Sequence, residues 1–127
     1  MTAPPLAYAV RFSAQAQQDI VDAAFRLADL TQDPDAARAW ADSLYGEAAR
    51  LAVFPHAHPL AARETRLFGR QTRQMLYRRT ATATAYRLLF VTADAGDDGP
   101  TVTIIHVRHS GRRAPTRDEA RHILANQ

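Results

Sequence analysis

The stretch YRLLFVTADAGDDGPTVTIIHVRHSGRR, residues 86–113, decides the fold. Two runs of β-branched, aromatic and aliphatic residues flank ADAGDDG, whose Asp and Gly residues supply a turn, so the pattern predicts two antiparallel strands. In the first run Tyr86, Leu88 and Phe90 alternate with Arg87, Leu89 and Val91. The bulkier set is expected to face the core, which sends Arg87 to the other face of the sheet. In the second run strict alternation groups His109 with Ile105 and Val107, and Arg108 with His106 and Ile104. Both sides are apolar at mid-strand, as in a central strand covered on two faces. The run then ends among His106, Arg108, His109, Arg112 and Arg113. Such a cluster is either solubilising charge or a grip on an anion.

Working outward, TATAT (residues 80–84) is a further turn, and a strand over 71–78 precedes it. At the other end LAYAVRF, residues 6–12, puts Leu6, Tyr8, Val10 and Phe12 on one side of a half-buried strand. Ser13 stands where a helix N-cap belongs, and the helix it opens (13–30) turns Ile20, Ala24 and Leu27 to one face. TQDPD, residues 31–35, ends it and begins another, with Asp33 as cap and Pro34 at the first helical position. That second helix, 34–54, carries Ala37, Trp40, Leu44, Ala48 and Leu51 in a stripe. Two amphipathic helices joined so tightly predict an antiparallel hairpin. FPHAHPL, residues 54–60, then begins an extended loop. Thr116 and Glu119 have capping-box spacing for a short helix over 116–125. The expectation is a single α+β domain over 1–127 with its core at about 6–113. In it the helical hairpin packs on one face of an antiparallel sheet of about four strands.

Composition narrows the class. A 46% hydrophobic, 23% charged chain of 127 residues folds rather than staying disordered. No apolar run reaches the roughly 20 residues of a membrane span. The N-terminus carries no basic residue before its apolar part, so it does not read as a secretory signal. There is no Cys, hence no disulfide framework. The expected compartment is the cytoplasm. All 16 basic residues are Arg. Residues 1–62 carry net −3, whereas residues 63–127 carry 12 Arg against six acids, net +6. A basic half predicts an anionic partner, either nucleic acid or an acidic protein.

The segment RETRLFGRQTRQMLYRR, residues 63–79, contributes Arg63, Arg66, Arg70, Arg73, Arg78 and Arg79 against Glu64 alone. With Arg87 and Arg108 these could converge on one side of the sheet, where forked guanidinium donors match phosphate or carboxylate. For RNA cleavage Arg73 and Arg87 would stabilise charge, and His109 is the best acid or base. A second proton carrier is missing, since Lys is absent and Arg stays protonated. His56 and His58 in HAH lack a nearby Cys or carboxylate, so neither a metal nor a cofactor is expected.

Order and motifs together carry a resemblance. The sequence strand, two helices, three strands, with RLFGRQTRQML (66–76), YRLLF (86–90) and IIHVRH (104–109), resembles the RelE/ParE superfamily of type II toxin–antitoxin toxins, the plasmid stabilisation proteins. The resemblance covers about residues 8–113. It implies a small cytoplasmic toxin neutralised by a cognate antitoxin whose C-terminal segment wraps it. RelE-like members are ribosome-dependent mRNA endonucleases; ParE-like members poison DNA gyrase without catalysis of their own. By this resemblance Arg87 falls on a position where RNA-cutting members stabilise the scissile phosphate, Arg73 lies in the strand that supplies another such arginine, and His109 is similar to the histidine that serves as general acid in some of them. The departures are Ser110 after His109 where a catalytic Tyr is common, the absence of Lys, and a Glu64 that aligns poorly with a catalytic Glu. The ParE-like branch is therefore the first expectation. An mRNA endonuclease is the second, and an inactive antitoxin-binding member the third. Arg66, Arg70, Arg73, Arg87, Arg108, Arg112 and Arg113 are the expected contacts for antitoxin or target, in a homodimer or a toxin–antitoxin hetero-oligomer.

Overall fold

The computed structural model describes residues 7–80, 83–95, 97, 99–111 and 115–126. The chain runs β1 (Ala9–Phe12), α1 (Ala14–Thr31), α2 (Pro34–Ala48), α3 (Ala62–Phe68), β2 (Arg73–Tyr77), β3 (Tyr86–Ala93), β4 (Thr101–His109) and α4 (Arg117–Ala125). The strands lie in the order β1-β4-β3-β2. β2, β3 and β4 are antiparallel, as the turns require, but β1 joins β4 in parallel, Ala9 opposite Thr101 and Phe12 opposite Ile104. The sheet is thus mixed rather than antiparallel throughout. The two strands meet across almost the whole chain, so no turn signal between them could announce the pairing.

The caps act as the sequence predicts. Ser13 Oγ accepts the Ala16 N–H at 3.0 Å while its own hydroxyl donates to the Ile105 carbonyl at 3.2 Å, tying the start of α1 to β4. Asp33 accepts from Ala36 N–H at 3.1 Å with Pro34 in the first turn. Thr116 accepts from Glu119 N–H at 3.2 Å. The second helix stops at Ala48, short of the expected 54, and residues 49–52 tighten into a 3-10 turn. Pro55 disfavours right-handed helical geometry in the residue before it, so the helix could not include residue 54, and Phe54 sits instead at φ 53°.

The segment expected as an extended loop holds α3. Its C-terminal cap is Gly69 at φ 71°, a left-handed conformation that costs glycine nothing. Together α3 and α4 cover the face of the sheet opposite the hairpin. One apolar cluster lies between hairpin and sheet, with Ile20, Trp40, Leu44, Leu88, Phe90 and Ile104 at its centre. The other joins Phe68, Leu89, Val91, Ile105, Ala120 and Ile123. Each fully buried Leu or Phe in these layers contributes about 1.5–3 kcal/mol.

A β-bulge at Leu89/Phe90 puts Leu89 opposite His106 and Phe90 opposite Ile104. The alternation of β4 changes phase there. Ile104 and Val107 share the hairpin face, whereas Ile105 faces the second cluster. The expected groupings of Ile105 with Val107, and of Ile104 with Arg108, are therefore corrected. β4 is central and covered on both sides, as its composition predicts. Leu6 and the pair Arg112 and Arg113 lie outside the described residues.

Candidate functional site

Among the described residues Arg87 and Arg108 meet on one face of the sheet, but Arg73 does not join them. Arg73 pairs with Phe90 and shares the hairpin side with Met75 and Tyr77, while Arg87 pairs with Leu76 and shares the opposite side with Leu89. Arg73 Nη1 donates to the His58 carbonyl at 2.7 Å, closing the loop of residues 55–60 onto the sheet. The His58 ring meets Phe90 edge-on at 5.9 Å. Burial, then the charges of Arg50 and Arg73, push the His58 imidazole below its ordinary value of 6.5.

The unfolded chain therefore takes up this proton first. The stabilisation is complete above the ordinary value and is lost as pH falls through the interval between it and the lowered native one. Arg73→Gln removes one of the repelling charges. It is expected to move the His58 titration, followed by ring-proton NMR, back toward the ordinary value; an unmoved titration would show that burial and Arg50 set it without Arg73.

Arg87 is committed elsewhere. Its Nη2 lies 2.6 Å from Glu64 Oε1, close but poorly aligned for a hydrogen bond, and its Nε donates to Gln74 Oε1 at 2.9 Å. The two side chains are 17% and 2% exposed. Glu64 arrives from α3, so this pairing depends on the element the sequence reading missed.

Directly across the strand pair from the half-buried Arg87 stands Arg108, which is buried. Arg108 Nη1 donates to Glu119 Oε2 at 2.9 Å and to His106 Nε2 at 3.2 Å. His106 Nδ1 contacts Asp19 Oδ2 at 2.6 Å, and the same oxygen accepts the Val107 N–H at 3.0 Å. Because a guanidinium only donates and a carboxylate only accepts, Nδ1 donates and Nε2 accepts in this ring. Asp19, His106, Arg108 and Glu119 thus form one chain of contacts from α1 through β4 to α4. The sequence singles out His106 and Arg108 for their charge and Glu119 only as a capping residue, whereas Asp19 is not singled out at all. A lone His followed two residues later by Arg in an apolar strand was the available signal.

His109 lies on the hairpin face, its ring 5.7 Å from that of Tyr86. Its Nδ1 accepts the Gly111 N–H at 2.9 Å, which leaves Nε2 as the outward atom. Arg73 begins β2 opposite Phe90, whereas His109 ends β4 opposite Tyr86. Four rungs of about 3.4 Å therefore separate their levels along the sheet, roughly 14 Å. Of the other candidates, Arg66 is exposed on α3 and Arg70 is exposed just beyond it.

Two other surfaces open between helices. Between α1 and α2 an apolar depression of about 320 Å³ is lined by Val21, Phe25, Ala28, Pro34 and Ala37. Phe25 is 70% and the nearby Leu30 78% exposed, an unusual outlay of apolar surface on a helical hairpin. Between α3 and α4 runs a wider cleft of about 470 Å³ edged by arginines. Among the described residues no group of His, Asp and Glu is arranged to hold a metal ion, and no helix is long and apolar enough to cross a membrane.

No curated protein is similar enough to be matched with the chain. A family profile described as the ParE toxin of the type II toxin–antitoxin system, parDE, matches residues 10–114, from β1 past the end of β4. With most of its length so matched and the mixed sheet, helical hairpin and order of elements in place, the chain belongs to the ParE toxin family of type II toxin–antitoxin systems.

Proposed function

We propose that the protein acts as a toxin by binding rather than by cleavage, with DNA gyrase as its target, and that a cognate antitoxin silences it. One observation supports this most. The three residues a nuclease reading would use are split between the faces and ends of the sheet, and Arg87 is already held by Glu64. General acid–base catalysis needs its groups within hydrogen-bond reach of one scissile bond. A binding protein has no such requirement.

The antitoxin is taken to place an apolar helix on the Phe25 surface of the hairpin, where a helix-in-groove contact hides exposed side chains. Expression of the protein without antitoxin, with labelled thymidine and methionine followed in parallel, tests the reading. DNA synthesis is expected to fail first, and purified protein to inhibit supercoiling by gyrase. Early arrest of protein synthesis with thymidine uptake intact would overturn it in favour of ribosome-dependent cleavage of mRNA.

A further inference from the structure

The cleft between α3 and α4 has a built chemistry that neither the family match nor the proposed mode of action uses. On α3, Arg63, Arg66 and Leu67 fall at helical spacing on one face; on α4, Arg117, Arg121 and Leu124 do the same. The result is a groove with an aliphatic floor and an arginine pair on each wall. Among the described residues only Arg121 of the four is in an ion pair, with Asp118 at 3.5 Å, and both of those side chains are largely exposed. The wall formed by α4 lies beyond residues 10–114, so it is not part of what the family match spans.

We infer that this groove is a docking site for an acidic amphipathic helix of another protein, one that sets Leu or Ile on the floor and Asp or Glu against the walls. Charge complementarity selects the sign of the partner. The floor selects its kind. Among the described residues no aromatic ring lines the groove to stack a base, and sequence-tolerant binding of single strands relies on such rings. Aliphatic residues between two charged walls instead suit a helix that repeats its apolar side chains at i, i+3 or i+4, and i+7. The site is independent of which cellular target the toxin disables, and it stands apart from the apolar depression between α1 and α2.

The test uses the purified full chain and a fluorescein-labelled peptide of about 14 residues, the length of an ordinary helix, with Leu at i, i+4 and i+7 and Glu around them. Fluorescence anisotropy is expected to show saturable binding that weakens several-fold between about 0.1 and 1 M salt, as screening shortens from about 10 to about 3 Å. A peptide of the same composition with scrambled leucines is expected to bind at least fivefold more weakly. The double variant Arg66→Glu, Arg121→Glu is expected to lose at least tenfold in affinity while keeping the parent's melting curve. Since both residues are exposed at the rim, that variant folds. Equal binding of the scrambled peptide, or unchanged affinity of the double variant, would overturn the proposal. So would tighter binding of an oligothymidylate that the same variant abolishes, because the groove would then be a nucleic-acid surface.

Discussion

Glu64→Gln is expected to destabilise the protein by about 3 kcal/mol, the lower end of the range for breaking a buried ion pair. The substitution keeps the shape of the side chain and removes only its charge. Arg87 then remains under α3 with Gln74 as a neutral partner and no counter-charge. The lower end applies because the Arg87 side chain retains 17% exposure and some access to water. Urea unfolding checks this: the midpoint falls while the m-value stays, since the native and unfolded states expose the same surfaces as before. Replacing both partners, Glu64→Leu with Arg87→Met, is expected to recover most of the loss, because an apolar pair of similar volume needs no desolvated charge.

The double replacement also bears on function. Growth inhibition by Glu64→Gln is expected to weaken simply because less of the protein is folded. In the double variant stability returns but the guanidinium does not. If the toxin works by binding through other surfaces, inhibition returns with the fold. If Arg87 neutralises a scissile phosphate, the double variant folds and stays harmless, and the proposed mode of action is wrong.

Much of this architecture was legible from local signals. Ser13, Asp33 with Pro34, and Thr116 with Glu119 announced three helix starts, and each cap is made as expected. The alternation of Tyr86, Leu88 and Phe90 placed Arg87 on the far face correctly. What was missed depends on non-local geometry or on brevity. Helix α3 is seven residues long, has no side-chain N-cap bond, and hides in an arginine-rich segment after two prolines. Its one clear mark was Gly69. The bulge in β4 inverts the facing of Ile104 and Ile105, and nothing in a run of Ile and Val betrays an extra residue. The separation of Arg73 from Arg87 could have been read. Arg73 keeps step with Met75 and Tyr77, both bulky and buried, so it had to share the hairpin face with Phe90 rather than join Arg87.

Asp19→Ala is the second substitution with a large expected cost, about 2–4 kcal/mol, and the reason lies in where β1 ends. β1 covers β4 only from Thr101 to Ile104. Beyond that point the β4 edge is handed over to α1: Ser13 takes up the Ile104 and Ile105 carbonyls, and Asp19 Oδ2 takes the Val107 N–H. Asp19 therefore serves as the missing strand. It also accepts from Gln15 Nε2 at 2.8 Å and holds the His106 ring that Arg108 donates to. Alanine leaves a buried backbone donor and a buried imidazole donor without partners, each worth about 1–3 kcal/mol. Asn retains a carbonyl acceptor, so Asp19→Asn is expected to cost clearly less than Asp19→Ala. Hydrogen exchange distinguishes this account from general loosening. In Asp19→Ala the Val107 amide is expected to lose protection by more than the global destabilisation explains, and the amides of α4 to follow in part, because its polar contact with β4 runs through Arg108 and Glu119 while Ala120 and Ile123 still pack on Ile105. The Leu88 amide, deep in the sheet between two neighbours, is expected to track global stability alone. If Val107 merely tracks Leu88, its hydrogen bond to Asp19 contributes nothing of its own, and the edge of β4 must be held by packing.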